Sequence, residues 1–440
     1  MLLIFVPKLT NRLGYTINVV MRDLLQTEFA ITNDANKFLQ HHEASLCYGS
    51  YRIGGAEVPF IKSCHLLFET VIEEQKCRCF DFDGTPAMFP VFGKDAALPF
   101  DVFAAIFFMV SRYEEYLPHR ADAHGRFPAS ESTAFRHGFL QKAVVDRWAL
   151  LVRDIILRHY PDTVFKPKTF NVVQTIDIDS AYCYRHKGLF RTSMGCLRDG
   201  FKRRNPKEVV RRLRVLCCKE ADPFDTFDYI LEQQAKQQHG DLIFFTLIGD
   251  YGLYDKPASY NNYAFRNLIQ HLGDFAKVGL HGSYFAGEEA DRLSRETERL
   301  ADILHRPIVR NRFHFLRFTL PNTYRLLVQH DIRHDYSMGF ADQPGFRCGT
   351  SCEIPFYDLG SDQETPLHIH PLVVMDTTLK SHLGLSTEES KQTIHAIADE
   401  VRATNGTFCC LFHNQNLCDD FGWEGWREVY EDTLSYVCRN

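Results

Sequence analysis

The chain has 440 residues, more than one hydrophobic core comfortably serves, so two domains are expected. Its hydrophobic (45%) and charged (24%) fractions exclude a disordered chain, and a formal charge of −6 argues against a general nucleic-acid binder. Fourteen cysteines form no paired CxxC knuckles, which argues against a structural zinc site and for a reduced, cytoplasmic chain.

In chain order, residues 2–6 read as a first strand, because the apolar start lacks a basic leader and a small-residue cleavage site. Further strands are expected at 58–60 and 87–91. Helical periodicity covers 100–116, with the polar cluster Arg112, Glu114 and Glu115 at its end, and 144–160, which Pro161 terminates. The longest apolar stretch, Val102 to Val110, has nine residues and cannot span a bilayer, which needs about 20. Lys166, Pro167 and Lys168 look like a linker. The boundaries are therefore 1–165 for a smaller α+β domain and 166–440 for a second domain.

From residue 170 the pattern becomes regular. Strands are expected at 171–177, 242–248, 278–281, 308–313, 334–338, 367–375 and 407–413. Helices lie between most of them, at 226–238, 288–305, 387–404 and 426–437. This alternation predicts an α/β architecture with a parallel sheet, open or closed into a barrel. One insertion breaks the rhythm. Residues 185–219, bounded by Arg185 and Lys219, hold twelve Lys or Arg against only Asp199 and Glu208. The stretch from Phe201 through Lys202, Arg203 and Arg204 to Lys207 is its densest part. It reads either as a solvated basic helix or as a contact for an anionic ligand or acidic lipid.

Polar groups recur where apolar runs end. Asp177 and Asp179, two apart, share one side of a strand. Buried together they would repel unless a cation lay between them, which suggests Asp179 as a metal ligand and Asp177 as a free base. A surface turn is the plain alternative. His281 ends another run and suits a divalent ion such as zinc, although a lone histidine is more often a core residue. Arg310, Arg312 and His314 alternate, so on a strand they share one face, with Asp177 the candidate partner of Arg312. His413 closes the last strand and is placed to act as a general acid. Asp335, Ser337, Arg347 and Asp376 are weaker candidates; Asp335 is expected to orient His413, and the 345–350 turn to reach substrate.

With these residues in order, the region 170–440 resembles the NodB-homology polysaccharide deacetylases of carbohydrate esterase family 4. The matching motifs are Thr175-Ile176-Asp177-Ile178-Asp179, His281-Gly282-Ser283-Tyr284, Arg312, Asp335-Tyr336-Ser337 and Leu411-Phe412-His413. The resemblance implies an irregular (β/α)7 barrel. It also implies Asp177 as catalytic base braced by Arg312, Asp179 and His281 as metal ligands, and His413 as acid. The family's later histidine is replaced here by Phe285, and His314 is expected to take its place, with His186 as the weaker substitute. The first half, with Ser111 to Pro118 and Asp122 to Phe127, is similar to an uncharacterised domain that precedes such modules in Bacteroidetes-type proteins. Its Arg and Glu cluster is equally readable as a buried ion-pair network.

The expected activity is a hydrolase that uses a divalent metal, zinc or else cobalt or nickel, to remove an acyl group, acetyl above all, from an amino sugar. The substrate would be a glycan or a lipid- or nucleotide-linked precursor. No transmembrane segment is expected, with peripheral membrane contact through 185–219. The alternative is an inactive carbohydrate-binding or scaffolding protein that kept the fold.

Overall fold

The structure, a computed structural model, describes residues 1–197, 201, 206–237 and 240–439. Among these, no helix is long and apolar enough to cross a membrane. The basic residues Lys202, Arg203 and Arg204 lie outside the described residues.

The N-terminal half is built on a parallel sheet, not the α+β arrangement expected. Strands β1 (Leu2–Phe5), β2 (Phe29–Thr32), β3 (Ser45–Gly49) and β4 (Phe60–Lys62) lie in the order β2-β1-β3-β4, every pair parallel. Parallel neighbours need crossover connections, and helix Asn11–Asn18 supplies the first. A two-stranded hairpin, β5 (Phe80–Phe82) and β6 (Thr85–Ala87), follows. Helix Val102–Val110 is buried at every position, as an all-apolar helix must be. Asp101 caps it, accepting from Ala104 N at 3.0 Å. The expected helix 100–116 breaks at Arg112, which adopts a left-handed backbone (φ 53°).

Among the described residues, the second half carries nine strands: β7 (Asn171–Ile178), β8 (Asp241–Leu247), β9 (Lys277–Gly282), β10 (Arg310–Phe313), β11 (His334–Asp335), β12 (Ile354–Asp358), β13 (Gln363–Ile369), β14 (Val374–Met375) and β15 (Thr407–His413). Their order is β12-β13-β11-β10-β9-β8-β7-β15-β14. All neighbours are parallel except the β12–β13 edge pair. The expected single strand 367–375 is two strands, because Pro371 has no N–H to give a ladder. Past it, Leu372 N donates to Met338 O at 3.0 Å and Val373 N to Cys409 O at 3.1 Å. One short segment thus reaches both β15 and the chain beyond β11, while the ladder itself stays open. One buried cluster gathers Val173, Ile243, Phe245, Tyr336, Cys409 and Leu411. On β7, β8 and β15 these alternate with residues of the larger core, as a sheet buried on both faces requires.

Charged groups knit the two halves together. Arg347 is buried and gives both arms of its guanidinium to Glu115, at 2.8 and 2.7 Å. Arg112 donates to the same carboxylate at 2.7 Å and also to Arg347 O. This accounts for the break after helix Val102–Val110, and it means that Arg347 braces the fold and does not reach substrate. Asp146 accepts from Thr350 Oγ1 (2.9 Å) and Ser351 N (3.1 Å), and Glu400 takes both arms of Arg147 at 2.7 Å.

Burial alone would raise the Glu115 carboxyl, but Arg347 and Arg112 hold it down at about 2. Its folded value lies below the ordinary 4.5, so the stability it contributes is present above that pH and is lost as the pH falls toward 2. Replacing Glu115 by Gln takes the carboxylate from buried Arg347, while Arg112 keeps Glu114 at 2.9 Å. Chemical denaturation at neutral pH is expected to show a loss of about 3–5 kcal/mol.

Candidate metal centre

Strand β7 places Thr175, Asp177 and Asp179 on one side by simple alternation. The Asp177 carboxyl is buried, and Arg312 Nη1 donates to its Oδ1 at 3.0 Å and to Thr175 Oγ1 at 2.6 Å. Arg312 is fully buried. Its Nε donates to Tyr336 O at 3.0 Å, and its guanidinium lies 4.7 Å from the centre of the Phe245 ring. Asp177 thus keeps one oxygen, Oδ2, clear of the arginine, and that oxygen lies 3.5 Å from His281 Nε2.

Three more donors converge beside it. His281 Nε2 is 3.2 Å from Asp179 Oδ1, and His314 Nε2 is 3.6 Å from the same oxygen. Two ligands at the tetrahedral angle around zinc, each at about 2.0–2.1 Å, would be about 3.3 Å apart. Asp179 Oδ1 and His281 Nε2 are buried and have no hydrogen-bond partner. Both rings are held from behind. His281 Nδ1 faces Arg312 O at 2.9 Å, which puts the proton on Nδ1 and leaves Nε2 as a lone pair. His314 Nδ1 meets Asp255 Oδ1 at 2.8 Å, a carboxylate–imidazole support often found behind metal ligands. A converging O, N, N set, two of its atoms buried and unsatisfied, fits a divalent ion such as zinc, cobalt or nickel.

A second His/Glu group, His334, Glu353 and His370, makes the contrast plain. There His334 Nδ1 and His370 Nε2 bond each other at 3.0 Å, and Glu353 pairs with His368 at 2.7 Å. Those donors already have partners.

His413 stands at the edge of the centre, its Nε2 3.9 Å from Asp179 Oδ2. The expectation that Asp335 orients it is corrected by the structure. Asp335 is engaged by Tyr324 Oη (2.7 Å), Ser337 N (2.9 Å) and Asn311 Nδ2 (3.2 Å). Asp376 orients His413 instead, at 2.8 Å from Nδ1 and 2.9 Å from the backbone N; Asn416 steadies it at 2.8 Å. Burial would lower the His413 imidazole, yet Asp376 and Asp179 raise it to about 10. Burial likewise opposes the charge on Asp179, and His314 and His413 overcome that to hold its carboxyl well below the usual range. His314 is lifted to about 9, against desolvation, by Asp179 and Asp255.

The structure therefore brings Asp177, Asp179, His281, Arg312, His314 and His413 into one cluster. His186 is elsewhere, its ring against Tyr182 at 4.7 Å. Phe285 turns outward, its ring 4.9 Å from that of Tyr284, and offers no ligand. Asp255 has no signal in the sequence; it lies in a loop after β8, far from any motif.

Against known proteins, a family model described as a family of unknown function (DUF7033) matches residues 2–161. No curated protein matches the chain. Among solved structures, one assigned as a polysaccharide deacetylase from Mycobacterium smegmatis aligns at 15% identity, covering 62% of this chain and 85% of that one, with a TM-score of 0.41. PuuE allantoinase aligns at 9%, covering 61% and 84%, TM-score 0.38. A chain assigned as a polysaccharide deacetylase from Pseudomonas aeruginosa aligns at 10%, covering 61% and 85%, TM-score 0.38. These likenesses are too distant to transfer a role to any residue.

Ligation needs His314 neutral, and without an ion it is charged below about 9. Zinc titration is expected to give one ion per chain, with proton release and an affinity that strengthens as the pH rises from 6 to 8. Asp179→Ala should abolish it in calorimetry.

Proposed function

We propose that the protein is a metal-dependent hydrolase that removes an N-acyl group, acetyl in the first instance, from an amino sugar of a glycan or glycan precursor. One observation carries the reading. Unsatisfied ligand atoms on Asp179 and His281 lie between a carboxylate braced by arginine and an imidazole braced by carboxylate. A divalent ion, held by Asp179, His281 and His314, would polarise the acyl oxygen and make water acidic enough to react near neutral pH.

The chain's own groups then divide the proton work. Asp177 Oδ2, the oxygen left clear by Arg312, takes a proton from the attacking water. Arg312 fixes that carboxylate in direction. His413, charged at neutral pH, gives a proton to the departing amine from Nε2, while Asp376 holds its other nitrogen. Aromatic rings at the rim, Tyr254, Tyr284, Phe285 and Phe315, lie 3.9 to 6.3 Å from one another. They suit the apolar face of a sugar.

A second reading is favoured by Phe285, which stands where the resembled family has a histidine: an inactive carbohydrate-binding or scaffolding protein. Acetate release from acetylated chito-oligosaccharide with and without zinc separates the two. Asp177→Asn and His413→Ala are each expected to lower kcat about 10²- to 10⁴-fold, and Asp177→Asn should still bind zinc. Glycan binding without turnover, indifferent to chelator, would favour the second reading.

The basic insertion supports a substrate at an acidic surface. In its described parts, helices Gly188–Leu197 and Pro206–Leu216 expose Met194, Leu197, Val210 and Leu213, and Phe201 between them is 81% exposed. Apolar side chains among Lys and Arg are the composition of a helix that lies on anionic lipid. Co-sedimentation with phosphatidylglycerol vesicles is expected, and Phe201→Asp with Leu213→Asp should abolish it; phosphatidylcholine vesicles should not bind.

A further inference from the structure

His314 differs from the other proposed ligands in how the backbone carries it. Asp179 and His314 each directly follow a strand, β7 and β10, and His281 is within β9, but only after His314 does the chain turn sharply through left-handed backbone. The next two residues, Phe315 (φ 62°) and Leu316 (φ 51°), are both left-handed. Side chains with a Cβ rarely adopt that region, and two in succession persist only when the surroundings over-determine them.

Tyr254 and Tyr284 pack on that turn, but its backbone is also gripped from the other half of the chain. Arg126 Nη1 donates to Phe315 O at 2.6 Å. The guanidinium is not free to wander, because Nε is tied to Asp122 Oδ2 at 2.7 Å and its side chain is only 11% exposed. Asp122 also accepts from the backbone of His124 (2.8 Å) and Arg126 (2.9 Å), and Gly125 at φ 75° closes the turn. The same turn grips the far side of the segment. Arg317 Nε donates to His124 O at 2.9 Å and Arg317 Nη1 to Tyr284 O at 3.0 Å. The His124 ring packs against Phe315 with centres 5.0 Å apart and bonds Tyr284 Oη at 3.0 Å.

We infer that the Asp122–Arg126 turn of the N-terminal half is a positioning element of the metal centre, clamping residues 314–317 in the left-handed course that turns His314 toward Asp179 and His281. The inference rests on the metal-centre reading above and gives the N-terminal half a task in it. No second histidine follows His281 in the loop and helix after β9; the next is His305. The third ligand is His314, followed by two left-handed residues, and a turn so strained needs an external brace.

The test uses the full-length protein. Zinc affinity is measured by competition with a chromophoric chelator, and the cobalt form is followed by its visible absorption. Arg126→Ala is expected to weaken zinc binding about 10- to 100-fold, the range for loss of a group supporting a ligand, and to alter the cobalt spectrum. Arg126→Lys, a milder change that loses the fixed fork, should fall between it and the parent. Adding Phe315→Gly, which makes the left-handed backbone inexpensive, should recover most of the affinity lost in Arg126→Ala. A merely structural role would not give that rescue. Should the folded Arg126 variants bind zinc as the parent does, with an unchanged cobalt spectrum, the clamp is overturned and the metal centre stands. Should Arg126→Ala not fold, the Arg126→Lys pair with and without Phe315→Gly decides in the same way. A parent protein that binds no zinc overturns both readings together.

Discussion

Arg312 is the residue on which the arrangement turns. Its side chain, buried inside the sheet, reaches Thr175 and Asp177 on β7 and the carbonyl of Tyr336 beyond β11. Its own carbonyl fixes the proton on His281 Nδ1. One residue therefore holds the Asp177 carboxylate by charge and the His281 imidazole by tautomer. A buried guanidinium is costly unless its partners are near and well aligned, so the strands that bear those partners are constrained to one register. Lysine in its place would keep the charge and lose the fork that reaches several acceptors at once.

The same logic operates at larger scale. Glu115, Asp146 and Glu400 are carboxylates contributed by one half of the chain and satisfied by the other. Each stabilises little compared with an apolar contact of the same area, but each penalises any other way of docking the halves. The core is continuous across them. The sheet of the second half thus presents its strand ends at a rim whose outer wall is partly N-terminal, including His124 and Arg126.

Much of this was legible in the sequence. Short apolar runs ending in Asp177, His281 and His413 are parallel strands whose last residues emerge together, and helices such as Thr387–Ala403 and Trp426–Val437 follow directly from amphipathic spacing. What was hidden is local chemistry overruled by distant partners. Residues 112–116 continue a helical pattern, yet Arg112 leaves it to meet Glu115 and the backbone of Arg347. The stretch 334–338 reads as a strand but pairs only at His334 and Asp335. Asp335 and Asp376 look equivalent from their positions; only the fold shows that Tyr324 and Ser337 occupy one while His413 takes the other. Asp255 could not be found at all, because a carboxylate behind a histidine leaves no spacing to read. The parallel order of β1 to β4 was equally unreadable from strands of three to five residues.

The position of β15 has a consequence for biogenesis. It is made after β7 to β14, yet it lies inside the sheet between β7 and β14. Until the ribosome has released residues 407–413, β7 offers an unpaired apolar edge, and the neighbour opposite Asp177 has not arrived. A nascent chain at that stage is open to wrong partners. Completion of the candidate metal centre thereby waits on the synthesis of every strand from β8 to β15, leaving a long window in which a chaperone has something to hold.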